Sequence, residues 1–78
     1  MVKIFMAKQR ASITQIFAAN LKRIRLEKGY TQEQLALMCG FDRTYITGLE
    51  NAYRNPSLKA IDKISLTIDV APAEFFRL

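Results

Sequence analysis

Residues 31–51, TQEQLALMCGFDRTYITGLEN, read as two short helices joined by a tight turn. Thr31 and Gln34 fit a capping box, in which the hydroxyl accepts from an orphan backbone N–H and the glutamine reaches back to the cap, so a helix is expected from Gln32. Leu35, Ala36 and Met38 supply its apolar face. Gly40 takes left-handed backbone without steric cost and ends that helix. Asp42 is placed to cap the next one by accepting the free N–H groups at its start. A linkage this short holds two helices at a steep angle, the geometry that lays a second helix in a major groove of DNA.

The second helix buries Ile46 and Leu49, with Tyr45 sharing that face, and leaves Arg43, Thr44, Thr47 and Gly48 on the other. The open face is short and mostly uncharged, which suits base edges. Arginine pairs bidentately with guanine, threonine meets a polar edge or a thymine methyl, and Gly48 admits a close approach. On spacing alone, a helical hairpin with a solvated face remains the alternative.

Charge narrows the choice. The chain carries 12 Lys and Arg against 7 Asp and Glu, for a formal +5. Seven of the basic groups and a single acid, Glu27, lie in residues 1–28. A field polarised in this way is the footprint expected for phosphate binding, although a solubilising surface explains charge as well. With 78 residues, half of them apolar, one domain is expected, with a core that dimerisation would help. The single Cys39 reads as a buried, space-filling thiol. No apolar run approaches the ~20 residues of a membrane span, and MVKIFMAK is too brief for the apolar core of a signal peptide, so a cytoplasmic location is expected.

Outward from the central pair, Ser12 and Gln15 repeat the capping-box pattern. Ile13, Ile16, Phe17, Leu21 and Ile24 follow at helical spacing up to Lys28 and Gly29. Lys22, Arg23 and Arg25 fall on or beside the polar side of that helix, as solvated groups or as phosphate contacts. Residues 1–11 form no recognisable element and are expected to be a flexible or partner-packed arm; residues 12–78 form the DNA-binding and dimerisation domain. After ENAYRNP, Ser57 caps a helix whose buried stripe is Leu58, Ile61, Ile64 and Ile68, ended by Asp69. Pro72 at a first helical position starts a last short helix carrying Phe75 and Phe76. The expectation is an all-α chain of five helices.

Catalysis is not expected: there is no His, and no phosphate-cradling Gly-rich loop. Asp42 and Glu50 are separated by over two helical turns, ~12 Å, too far for paired carboxylate chemistry. No metal, cofactor or small-molecule ligand is called for. An RNA-binding module is disfavoured because no Phe or Tyr cluster sits on a platform for base stacking.

The elements TQEQLA, Gly40, Ile46 with Leu49, Glu50 and NPSL fall in the register of the phage-repressor class of helix-turn-helix domains, which the chain resembles from Leu21 to Phe76. More narrowly, DRTYITGLE followed by RNPSL resembles the controller proteins of restriction-modification systems. The resemblance implies a compact, phage-repressor-like fold and a homodimer on a pseudo-palindromic double-stranded DNA operator. It implies binding to the promoter of its own gene and of a neighbouring endonuclease gene, activating or repressing according to how many dimers load. Arg43, Thr44 and Thr47 would read bases; Gln32, Asn51, Arg54 and Asn55 would hold the backbone, with Tyr45 at the groove edge. The class also pairs the acid at position 50 with an arginine near the end of the first helix, here Arg25. A phage-type or general repressor, or the antitoxin of a toxin–antitoxin pair, are the alternative functions.

A recognition helix of this length reaches few base pairs, so a two-fold partner presenting a second helix about 34 Å away is the usual remedy. The surface expected to supply that contact is the C-terminal one: Ile68, Val70, Ala71, Pro72, Phe75, Phe76 and Leu78. Rings adjacent on a helix point about 100° apart, so one of Phe75 and Phe76 should close the core and the other should lie at the interface.

Overall fold

The computed structural model describes residues 11–78, so the expected N-terminal arm lies, but for Ala11, outside the described residues. Four α-helices follow one another: α1 (Ile13–Glu27), α2 (Gln32–Cys39), α3 (Arg43–Glu50) and α4 (Leu58–Ile68). A 3-10 helix, Pro72–Phe76, closes the chain. No strand occurs among the described residues, and none of their helices is long and apolar enough to cross a membrane.

Local chemistry sets the boundaries. Ser12 Oγ accepts from the Gln15 N–H at 3.2 Å while Gln15 Oε1 accepts from the Ser12 N–H at 2.9 Å, and Thr31 and Gln34 make the same reciprocal pair at the start of α2. Gly40, with φ of +73°, stops α2, and the Phe41 N–H returns to the Ala36 carbonyl at 2.8 Å. Asp42 departs from expectation. It occupies the N-cap position of α3, but its side chain makes no capping hydrogen bond. The turn holds through its backbone instead: the Asp42 carbonyl accepts from Tyr45 and Ile46.

The core joins Phe17, Leu21 and Ile24 of α1 to Leu35, Ala36 and Cys39 of α2, Ile46 and Leu49 of α3, Ile61, Ile64 and Ile68 of α4, and Phe75. Three expected core positions are open. Leu58 is 85% exposed and Ile13 56%, each at the first position of its helix, ahead of the turn that packs inward. Met38 is exposed too, and Cys39, one residue on, takes the buried place as a free thiol.

The expected fifth α-helix is a 3-10 helix. Five residues give too few i→i−4 bonds to offset the cost of nucleating an α-helix, and the Glu74 N–H reaches back only to Ala71, at 2.9 Å. Its position comes from α1. Asn20, buried in line with Phe17 and Leu21, donates from Nδ2 to the carbonyls of Phe75 and Arg77 at 3.0 and 2.9 Å. A polar residue inside an apolar stripe was the sequence signal for this clamp.

Candidate nucleic-acid interface

The angle between α1, α2 and α3 is held by a buried polar relay. Arg25 donates to Glu50 twice, Nε to Oε2 at 2.6 Å and Nη2 to Oε1 at 3.0 Å, and its Nη1 reaches the Tyr30 carbonyl at 2.7 Å. Both side chains are nearly inaccessible. The carboxylate beside it pushes the Arg25 guanidinium above its ordinary range, against the opposing effect of burial, so the cation persists at any working pH. Gln32, first residue of α2, extends the relay: its Nε2 donates to Glu50 Oε1 at 3.1 Å, and its Oε1 accepts from the Thr47 hydroxyl at 2.8 Å. Every buried polar side-chain atom among the described residues is satisfied.

On the outer face of α3, Arg43 and Thr44 are exposed and Thr47 is half-buried. Arg43 lines one surface depression with Thr31, Gln32 and Glu33, so the start of α2 and the start of α3 share a continuous surface. Gly48 is not open to an approaching groove as expected. It is buried, and a Cβ built there would stand 2.5 Å from Cγ of Arg54. The Gly48 carbonyl accepts from the N–H groups of Tyr53 and Arg54 at 2.9 and 3.2 Å, which folds the loop after α3 back over the helix. That loop turns at Ala52, with φ of +60°, a left-handed conformation unusual for a residue with a Cβ.

Tyr45 is half-buried against the ring of Phe41 in an edge-on contact at 5.1 Å, and the Arg54 guanidinium lies over its ring. Asn51 and Asn55 are exposed. The Asn55 oxygen accepts from Thr14 at 2.6 Å, which ties the loop to the start of α1. Arg23 is engaged by Glu27 at 3.1 Å and by Asn20, whereas Lys22 is exposed.

The C-terminal surface is divided. Phe75 and Ile68 are buried in the monomer, so they lie behind any contact rather than in it. Both rings flank Phe17, Phe75 at 5.4 Å and Phe76 at 5.9 Å, the second on the outer side and in part exposed. Ala71, Pro72 and Leu78 are exposed and Val70 is half-buried against the core. Leu66, 73% exposed, lies off the buried stripe of α4 and adds an apolar side chain to the surface.

Comparison with known proteins agrees with this geometry. The helix-turn-helix family (HTH_3) matches residues 21–75. Control protein C.BamHI of Bacillus amyloliquefaciens is 41% identical over 64 residues, spanning 81% of this chain and 79% of its own. The Neisseria hypothetical transcription factor of Neisseria meningitidis is 39% identical over 56 residues, 72% of this chain, and the match spans 53% of that relative's length. Among solved structures, the restriction-modification controller protein C.Esp1396I, as a tetramer in complex with its natural 35 base-pair operator, superposes with a TM-score of 0.76 at 39% identity, covering 86% of this chain and 88% of that one.

Proposed function

From the premise that this chain belongs to the Xre-type helix-turn-helix family HTH_3, we propose that it is a controller protein of a restriction-modification system, regulating transcription as a DNA-bound homodimer. The observation that carries the reading is the outer face of α3, where Arg43 and Thr44 stand open beside the half-buried Thr47 while Arg25 and Glu50 fix the helix from behind. Arg43 and the two threonines contact base edges; Gln32, Asn51, Arg54 and Asn55 contact phosphates; Tyr45 borders the groove beneath Arg54. The exposed Ala71, Pro72, Phe76 and Leu78 supply the two-fold contact, and Val70 supports it from the core side. The work is done in the cytoplasm, on the promoter of the protein's own gene and of an endonuclease gene beside it.

Footprinting on the DNA upstream of its gene tests the proposal. Protection of paired half-sites spaced by about one helical turn, or multiples of it, is expected. Protection that spreads evenly over any sequence would overturn it.

A further inference from the structure

The relay from Arg25 to Thr47 has a direction. A carboxylate bonded to a guanidinium only accepts hydrogen bonds, so the Gln32 amide must turn its nitrogen toward Glu50, at 3.1 Å. Its oxygen then faces Thr47, at 2.8 Å. An amide oxygen also only accepts, so the Thr47 hydroxyl spends its single proton inward. Toward solvent it offers lone pairs and a methyl group. An unconstrained threonine hydroxyl, by contrast, rotates to donate or accept and discriminates poorly between base edges.

We infer that Thr47 is an acceptor-only, specificity-determining residue, taking a hydrogen bond from the major-groove amino group of adenine or cytosine. This rests on the reading of α3 as the recognition helix. Every base pair presents such an amino group on one side of the major groove and only acceptors, with or without a methyl, on the other. The relay therefore selects the orientation of one base pair: adenine over thymine, or cytosine over guanine, on the strand that Thr47 faces. Gln32 and Glu50 act as positioning residues that set the polarity of a group they hold from behind.

The experiment starts from binding sites selected from a random DNA pool by the wild type and by Thr47→Val, which keeps the branched shape and removes the oxygen. One position should lose its preference in Thr47→Val. At that position, a base analogue lacking the exocyclic amino group should weaken wild-type binding roughly five- to tenfold and leave Thr47→Val unchanged, whereas a 7-deaza purine, which removes an acceptor, should leave both unchanged. Gln32→Leu, its folding checked by thermal melting, frees the hydroxyl proton and should shrink the penalty for reversing that base pair. Sensitivity to the 7-deaza analogue in place of the amino deletion, or identical selected sites for the wild type and Thr47→Val, would overturn the inference while leaving the protein a specific DNA binder. Failure of the wild type to enrich any sequence would instead bring down the functional reading on which it rests.

Discussion

The guanidinium carbon of Arg54 lies 5.2 Å from the centre of the Tyr45 ring, and the stem of the same arginine crosses the place where a Cβ of residue 48 would be. One aromatic face and one missing side chain thus hold a cation beside the outer face of α3. The contact with the ring is worth about 0.5–1 kcal/mol at an exposed site, enough to favour one arginine conformation over its alternatives.

Gly48→Ala tests that arrangement. An alanine within a helix gains about 1 kcal/mol of propensity over glycine, and here it must displace an exposed side chain rather than backbone. The variant is expected to melt within a few degrees of the wild type yet to bind DNA several-fold more weakly, as is expected of Arg54→Ala. Unchanged affinity in a well-folded Gly48→Ala would show that the placement of Arg54 is immaterial.

Arg43 and Arg54 should fail in different ways. Loss of a bidentate contact to guanine in Arg43→Ala is expected to cost ~1–3 kcal/mol on the operator and to relax preference at one base pair, with binding to random DNA nearly intact. Arg54→Ala should weaken all sequences alike and reduce the slope of log affinity against log salt by about one. Titrations on operator and random duplexes at several salt concentrations separate the two; equal losses on both DNAs for Arg43→Ala would remove it from the base-reading set.

Removing one member of the Arg25–Glu50 pair strands a buried charge and interrupts the relay to Gln32 and Thr47. Arg25→Met or Glu50→Gln alone is expected to cost ~3–5 kcal/mol, and the double variant less than the sum. Denaturant unfolding of the four species measures the coupling. The folded-state pKa of Arg25 is raised, so its contribution is fully present below the ordinary arginine range and would be lost only above it. The coupling should accordingly survive to strongly alkaline pH; simple additivity at neutral pH would refute the pairing.

Burial pushes the Cys39 thiol up, against smaller opposing effects of Thr67 and the Lys63 charge. In the unfolded chain the thiol ionises at its ordinary pKa, so stability is unaffected below that value and declines as pH rises from it toward the folded-state pKa. Alkylation of the native protein should be slow and limited by opening. Cys39→Ala should lose the cysteine-dependent part of the alkaline decline, and rapid stoichiometric alkylation of the folded wild type would contradict the burial.

Charge placed on the exposed C-terminal surface should separate association from folding. Leu78 is 96% exposed and Ala71 is exposed as well, so Leu78→Asp and Ala71→Glu remove no core contact in the monomer. Sedimentation is expected to show folded monomers with weakened operator binding. Variants that remain dimeric would place the two-fold contact elsewhere.

The helices and their order were legible in the sequence because their signals are local. Capping boxes at Ser12 and Thr31, the left-handed Gly40, and the apolar rows through Ile24 and Ile64 act within a turn or two of chain, and residue identity alone determines them. The outer face of α3 was legible for the same reason: once Ile46 and Leu49 point inward, Arg43 and Thr44 must point out. Relations between residues far apart in the chain were set by packing instead. The direction of the relay from Arg25 through Glu50 and Gln32 to Thr47 depends on four side chains from three helices meeting at hydrogen-bond distance. Whether Gly48 is vacant for DNA or covered by Arg54 depends on how the following loop folds back, and whether Leu58 is core or surface depends on which turn of α4 meets its neighbours. The last segment is a 3-10 helix held by Asn20 because so short a stretch takes its conformation from the surface it packs on, and that surface is α1.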